Sequence, residues 1–148
     1  GHGTNYIRDH LDSPRSFVIV LCSPKVAMAA AMVDYHGTEA VIRMMGTHPT
    51  VRKRGCARLV HSLVADACRA RSIAKLCVEL SENDPDADLI WKRFGYTSVR
   101  SGMISNTTAP LFKDTKLLVM GVSHVCSVSN ALGRLADVMF DEGESTDE

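Results

Sequence analysis

The sequence predicts one α/β domain, a mixed, twisted sheet with helices on both faces. Three observations carry this. Two strongly apolar stretches, Phe17–Leu21 and Val26–Tyr35, read as strands. A third, Glu39 to Thr47, runs into a basic, glycine-containing turn and then an amphipathic helix. Another strand follows, Lys75 to Leu80, in the spacing of a βαβ unit. The chain has 148 residues, 45% of them apolar, which suits one domain with a packed core. Aromatics are few, so Val, Leu, Ile, Ala and Met must fill it.

Taken in order, Gly1-His2-Gly3 reads as a protease-cleavage scar on a piece of a longer protein, and residues 1–15 as an N-terminal segment. Residues 5–12 read as a short helix with Tyr6, Ile7 and Leu11 as its weak apolar stripe. Arg15–Cys22 is the first strand, turned by Ser23-Pro24-Lys25 into the second, Val26–Tyr35. His36-Gly37 makes a tight hairpin, glycine supplying the positive φ. Glu39–Thr47 pairs antiparallel with the second strand and ends at Pro49. Cys56–Arg71 is the strongest helix: Cys56, Leu59, Val60, Leu63, Val64, Ala67 and Cys68 fall on one face.

After the strand Lys75–Leu80, Ser81–Asp86 offers helix caps, with Pro85 in the first turn. That helix, about Asp86–Phe94, stops at Gly95. Tyr96–Met103 and Lys116–Val122 read as strands joined by a loop over 106–115. Asn130–Phe140 carries a weak helical stripe, so the domain spans 16–140. Residues 141–148 hold five carboxylates and no base, an acidic disordered end or the start of a linker. Seventeen Lys and Arg balance seventeen Asp and Glu overall, so the chain without that tail carries an excess of five positive charges. A basic body suits an anionic cofactor.

Some classes are excluded. No apolar run approaches the ~20 residues that span a membrane, so no membrane partner is expected. The five cysteines lack C-x-x-C spacing and read neither as a disulfide frame nor as a metal site, and no metal is expected. Unpaired cysteines in apolar surroundings point to a reducing compartment, nuclear or cytoplasmic.

The chemistry concentrates at Arg52-Lys53-Arg54-Gly55-Cys56-Ala57-Arg58, where a strand becomes a helix N-terminus. The first N–H groups of a helix have no internal partner, and its dipole favours an anion there. Four basic side chains add charge, and Gly55 lets the backbone approach closely. Such a turn is built for a phosphate group.

This turn resembles the acetyl-CoA signature of the GNAT (GCN5-related) acetyltransferases, (Arg or Gln)-x-x-Gly-x-(Gly or Ala); Arg52, Gly55 and Ala57 match it, and His48-Pro49 precedes it as in many members. A second family pattern, Asn-x-x-Ala-x-x-(apolar)-(Tyr or Phe)-x-x-x-Gly-(Phe or Tyr), is met by Asp84–Tyr96, with Asp84 at the Asn place. The resemblance covers residues 16–122, and implies the GNAT acyl-CoA N-acyltransferase fold. It implies acetyl-CoA as cosubstrate, with its pyrophosphate on the backbone of Arg54–Arg58. Its pantetheine arm would lie along Met45, Gly46 and Thr47. Arg52, Lys53, Cys56, Ala57, Asp84 and Trp91 complete the expected cofactor set.

The reaction implied is transfer of acetyl to an amine in a ternary complex. A lysine amine, pKa ~10.4, must first lose a proton, and a carboxylate can take it. The Met45 backbone N–H would hold the oxyanion. Small-molecule members carry a tyrosine acid where this chain has Trp91; histone-type members use a strand glutamate, whose place here falls on Val41. Glu39, on the same face ~6.5 Å further back, and Glu79 on the neighbouring strand are the candidate bases, with Asp34 and Asp84 weaker. The favoured acceptor is a protein lysine on a histone tail, within a larger nuclear, chromatin- or kinetochore-associated complex and without direct nucleic-acid readout. The alternatives are an N-terminal or small-molecule amine, or a non-catalytic acetyl-CoA-binding scaffold.

Overall fold

A computed structural model describes residues 15–51, 55–105, 112–126 and 128. The phosphate-turn arginines and lysine at 52–54, the expected helix at 5–12, most of the 106–115 loop and the segment after 128 lie outside the described residues.

Six strands form one sheet: β1 (Ser16–Cys22), β2 (Ala27–His36), β3 (Glu39–Thr47), β4 (Lys75–Ser81), β5 (Thr97–Ser98) and β6 (Thr115–Gly121), in the spatial order β1-β2-β3-β4-β6-β5. All neighbours are antiparallel except β3 and β4, the parallel pair joined through helix α1 (Cys56–Ala70). The β2–β3 hairpin turns at Gly37, whose φ of 60° suits glycine. Helix α2 (Pro85–Phe94) starts where the Asp84 carboxylate accepts the Ala87 N–H at 3.0 Å, has Pro85 in its first turn, and ends at Gly95 with φ 111°.

The main core lies under α1. Val60, Val64 and Cys68 of the helix meet Ala29, Ala31 and Val33 of β2, Ala40 and Ile42 of β3, and Leu76, Val78 and Leu80 of β4. Small alanines on β2 let the helix sit close. Trp91 and Phe94 of α2 pack against this same cluster. The two described helices therefore share one sheet face, where the sequence pattern suggested helices on both. The other face has a smaller cluster, Val41, Cys77, Leu117 and Val119, covered by Val99, Met103 and Ile104. Burial there pushes the Cys77 thiol up to about 12, and likewise that of Cys68 in the main core.

One element departs from the sequence reading. The stretch read as a strand over Tyr96–Met103 pairs only at Thr97–Ser98. Beyond it the Met103 N–H returns to the Arg100 carbonyl at 3.1 Å, Gly102 takes φ 84°, and the chain turns back over the sheet. Ser105 then anchors it, donating its N–H (2.9 Å) and its hydroxyl (2.8 Å) to the Glu39 carboxylate. The apolar side chains of Val99, Met103 and Ile104 thus serve to cover a face.

Leu76 is fully buried at the centre of both the sheet and the main core. Leu76→Ala is expected to cost about 2–5 kcal/mol of unfolding free energy, whereas Leu89→Ala, at a half-exposed site on α2, should cost under about 0.5 kcal/mol. Urea denaturation of the two variants checks this; equal losses would misplace the core.

Candidate functional site

The site begins where β3 and β4 stop pairing. They share four residue pairs, Glu39–Lys75 to Ile42–Val78. Beyond these, β3 continues on β2 to Thr47, and β4 continues on β6 to Ser81, so the strands diverge. A cleft of about 600 Å³ opens between them, lined by Met45, Gly46, Val78, Glu79, Leu80 and Trp91 with Val18, Met32, Arg43 and Met44.

The splay coincides with a bulge. Val33 faces Ile42 and Met32 faces Met44, which leaves Arg43 as the extra residue of β3. A bulge bends its strand and re-aims its side chains. It also sets which backbone groups face the cleft. His48 donates its N–H to the Met28 carbonyl at 2.7 Å, and the paired neighbours run Thr47–Ala29, Gly46–Ala30 and Met45–Ala31. In an antiparallel ladder alternate pairs exchange hydrogen bonds. Hence Gly46 bonds to β2, while Thr47 and Met45 turn their N–H and C=O toward the cleft. An extended amide chain can add there like another strand.

At the outer end, Thr47 joins the cleft to a second hollow of about 440 Å³, lined by Gly55, Cys56, Ala57, Arg58, Ile90, Arg93 and Phe94. Gly55 adopts φ 83° and precedes α1 without a side-chain cap. The Leu59 N–H bonds to the Gly55 carbonyl at 3.0 Å, and the N-terminal end of the helix borders this hollow, where its dipole favours an anion. The Arg58 guanidinium lies 5.1 Å over the Phe94 ring.

The candidate carboxylates separate. Glu79 lines the cleft, and its side chain is only 4% exposed. It pairs with Arg43, and accepts the Phe112 N–H and the Thr115 hydroxyl, each at 2.7 Å. Arg43 also donates Nε to Asp34 at 3.2 Å. Glu39 sits at the opposite end of the parallel pairing, beside Lys75 and bonded by Ser105, and does not line the cleft. The strand's sequence spacing put Glu39 on the right face, yet the splay opens only beyond Ile42. Val41 is buried in the smaller cluster. Asp84 caps α2 through the Ala87 N–H. His48 is held in its own turn, its Nδ1 accepting the Thr50 N–H at 3.2 Å.

Trp91 lines the cleft from α2, backed by an aromatic box. It lies edge-on to Tyr96 (5.2 Å between centroids), 5.4 Å from Phe94 and 6.2 Å from His61. His61 Nε2 and the Tyr96 hydroxyl, both buried, are 2.7 Å apart. Burial, with the Arg58 charge adding to it, lowers the His61 pKa to about 4, and burial raises that of Tyr96. The sequence reading missed Arg43 and His61. A lone charge inside the apolar run Ala40–Met45 was the available signal for Arg43; a histidine off the apolar face of α1 gave none.

No protein-family model and no curated protein matches the sequence. Solved structures do. The ribosomal-protein-S18-alanine N-acetyltransferase of Escherichia coli superposes with a TM-score of 0.61 at 16% identity, covering 80% of this chain and 76% of that one. Tetrahymena GCN5 gives 0.62 at 14% identity, covering 80% and 75%. A GNAT-family acetyltransferase from Staphylococcus aureus gives 0.65 at 11% identity, covering 80% and 75%. At such identities the likeness is one of fold.

His61 generates a pH prediction. Its folded pKa, about 4, is below the ordinary imidazole value of 6.5, so the unfolded chain binds the proton first as pH falls. Stability is kept above about 6.5 and is lost between about 6.5 and 4. From pH 7 to pH 5 this loss is about 2 kcal/mol. Urea unfolding of wild type and His61→Gln at both pH values checks it: the wild type should lose about 2 kcal/mol more than the variant. Equal losses would contradict the buried, neutral imidazole.

Proposed function

From the GNAT acetyltransferase fold, which this chain has, we propose that it transfers acetyl from acetyl-CoA to a protein lysine amine. The single observation behind this is the splay, with the Met45 and Thr47 backbone turned into a cleft that leads to the N-terminus of α1 at Gly55. An anionic diphosphate suits the helix end, and a pantetheine amide chain suits the strand edge. The basic turn 52–54 carries the same reading by sequence.

The acetyl group then lies near the bulge. The Met45 N–H donates to the thioester oxygen and stabilises the oxyanion that forms on attack. The acceptor comes from the other sheet face, where Val18, Met32 and Met44 border the cleft. Acetyl-CoA and acceptor thus occupy opposite mouths, as direct attack in a ternary complex requires. The acceptor ammonium must give up a proton before it attacks. Glu79 is the carboxylate at the cleft, and a bridging water relays the proton to it. Arg43, Phe112 and Thr115 fix its orientation.

A protein acceptor is supported by the open, apolar border of this mouth, which a lysine stem can cross while its amine reaches the polar base. Histone tails are the preferred lysine source, in a reducing nuclear setting. Trp91, in the place of the small-molecule members' tyrosine, fits this branch. The E. coli S18-alanine enzyme supports N-terminal amines as the second acceptor class, by its name.

Trp91 is the chain's only tryptophan and lines the cleft, so its emission should change saturably as acetyl-CoA is added. No change at millimolar acetyl-CoA would oppose the cofactor reading. With acetyl-CoA and a panel of histone-tail peptides, mass spectrometry should find acetyl-lysine. Acetylation confined to peptide N-termini would transfer the proposal to the second class. For whichever peptide reacts, Glu79→Gln should lower kcat/KM by about 100-fold or more, and Glu39→Gln by under about 3-fold. The reverse ranking would move the base to Glu39.

A further inference from the structure

We infer that Trp91 sets the length of the acyl group, as a fixed wall that admits acetyl and excludes longer chains; this rests on the proposed acetyl-CoA reading. Trp91 projects from the middle of α2 into the cleft, which it shares with Met45, Val78 and Leu80. With the thioester oxygen held at the Met45 N–H, the acyl carbons extend into the space these apolar side chains leave. An indole N–H is no useful acid, so the ring contributes volume rather than a proton.

The wall is rigid for a visible reason. Tyr96 meets the indole edge-on at 85°, Phe94 lies 5.4 Å away, and His61 closes the box at 6.2 Å. Tyr96 and His61 are 2% and 3% exposed, and their 2.7 Å hydrogen bond ties α1 to the residue following Gly95. To swing aside, Trp91 would have to disturb a buried hydrogen bond and three ring contacts. A methionine or leucine at this place would yield by rotamer change; this box does not.

The chemistry is unchanged by chain length. The amine nitrogen bonds to the acyl carbon, the C–S bond breaks, CoA leaves as thiolate and takes a proton, and the amine's proton passes to Glu79 through water. Acetyl and butyryl transfer balance identically, so discrimination between them is steric. One methylene in an apolar pocket changes recognition by roughly 10–200-fold.

The test is the affinity of acetyl-CoA, butyryl-CoA and CoA for wild type, Trp91→Phe and Trp91→Ala, measured by calorimetry. Each variant's acyl-CoA values are normalised to its own CoA affinity. Wild type should bind butyryl-CoA at least about 10-fold more weakly than acetyl-CoA. Trp91→Ala should bring the two within about 3-fold, with Trp91→Phe between. If Trp91→Ala does not fold, Trp91→Phe decides, because its ratio must still move toward unity. A wild type indifferent to chain length, or a ratio unmoved by substitution while CoA still binds, overturns the inference and leaves the proposed function standing. A folded wild type that binds none of the three ligands overturns both.

Discussion

The arrangement depends on the separation of two parallel strands after four shared residue pairs. Sheets ordinarily continue pairing, because unpaired N–H and C=O groups are costly when buried. Here β2 holds one strand and β6 the other beyond the split, so only the inner edges are left open. The Arg43 bulge sits at the apex, and its guanidinium reaches Asp34 on β2 and Glu79 on β4. Three strands are thereby tied together just where two of them part. Breaking a buried pair of this kind leaves a charge uncompensated, at about 3–5 kcal/mol. The opening is therefore a fixed feature of the fold rather than frayed sheet.

The rest follows from that opening. Alternation along β3 turns Met45 and Thr47 inward, and Thr47 hands the edge on to the N-terminus of α1. Helix α2 covers the β4 side and brings Trp91 into the gap. The aromatic box behind Trp91 couples α1 to the end of α2. One mouth is cationic and near a helix N-terminus; the other is apolar with Arg43 and Glu79 at its base. Two chemically different reactants can meet in such a passage without competing for the same entrance.

Much of this was legible in the sequence because it follows from local pattern. The span of β3, Glu39–Thr47, agrees residue for residue, because Gly37 and Pro49 bracket it. Helix α1 follows from its apolar stripe, and α2 from Asp84, Pro85 and Gly95. The family resemblance implied pantetheine contacts at Met45 and Thr47; the structure turns their backbone away from β2, toward the cleft. What the sequence could not show is tertiary. Counting residues places Glu39 on the correct face of β3, but where β3 leaves β4 is set by long-range pairing. A bulge adds a residue without any mark in hydropathy. The Tyr96–Met103 stretch reads as a strand, yet Gly102 and the Ser105–Glu39 contact turn its second half into a cover.

The Met45 and Thr47 amides face an open cleft, which we propose receives an extended amide-bearing thioester. Residue-resolved amide hydrogen exchange with and without acetyl-CoA tests it most directly. Met45 and Thr47 should exchange fast in the free protein and become protected on adding acetyl-CoA, while Gly46, already bonded to β2, stays unchanged. Protection of Met45 and Thr47 in the free protein, or no response to saturating acetyl-CoA, would contradict the account.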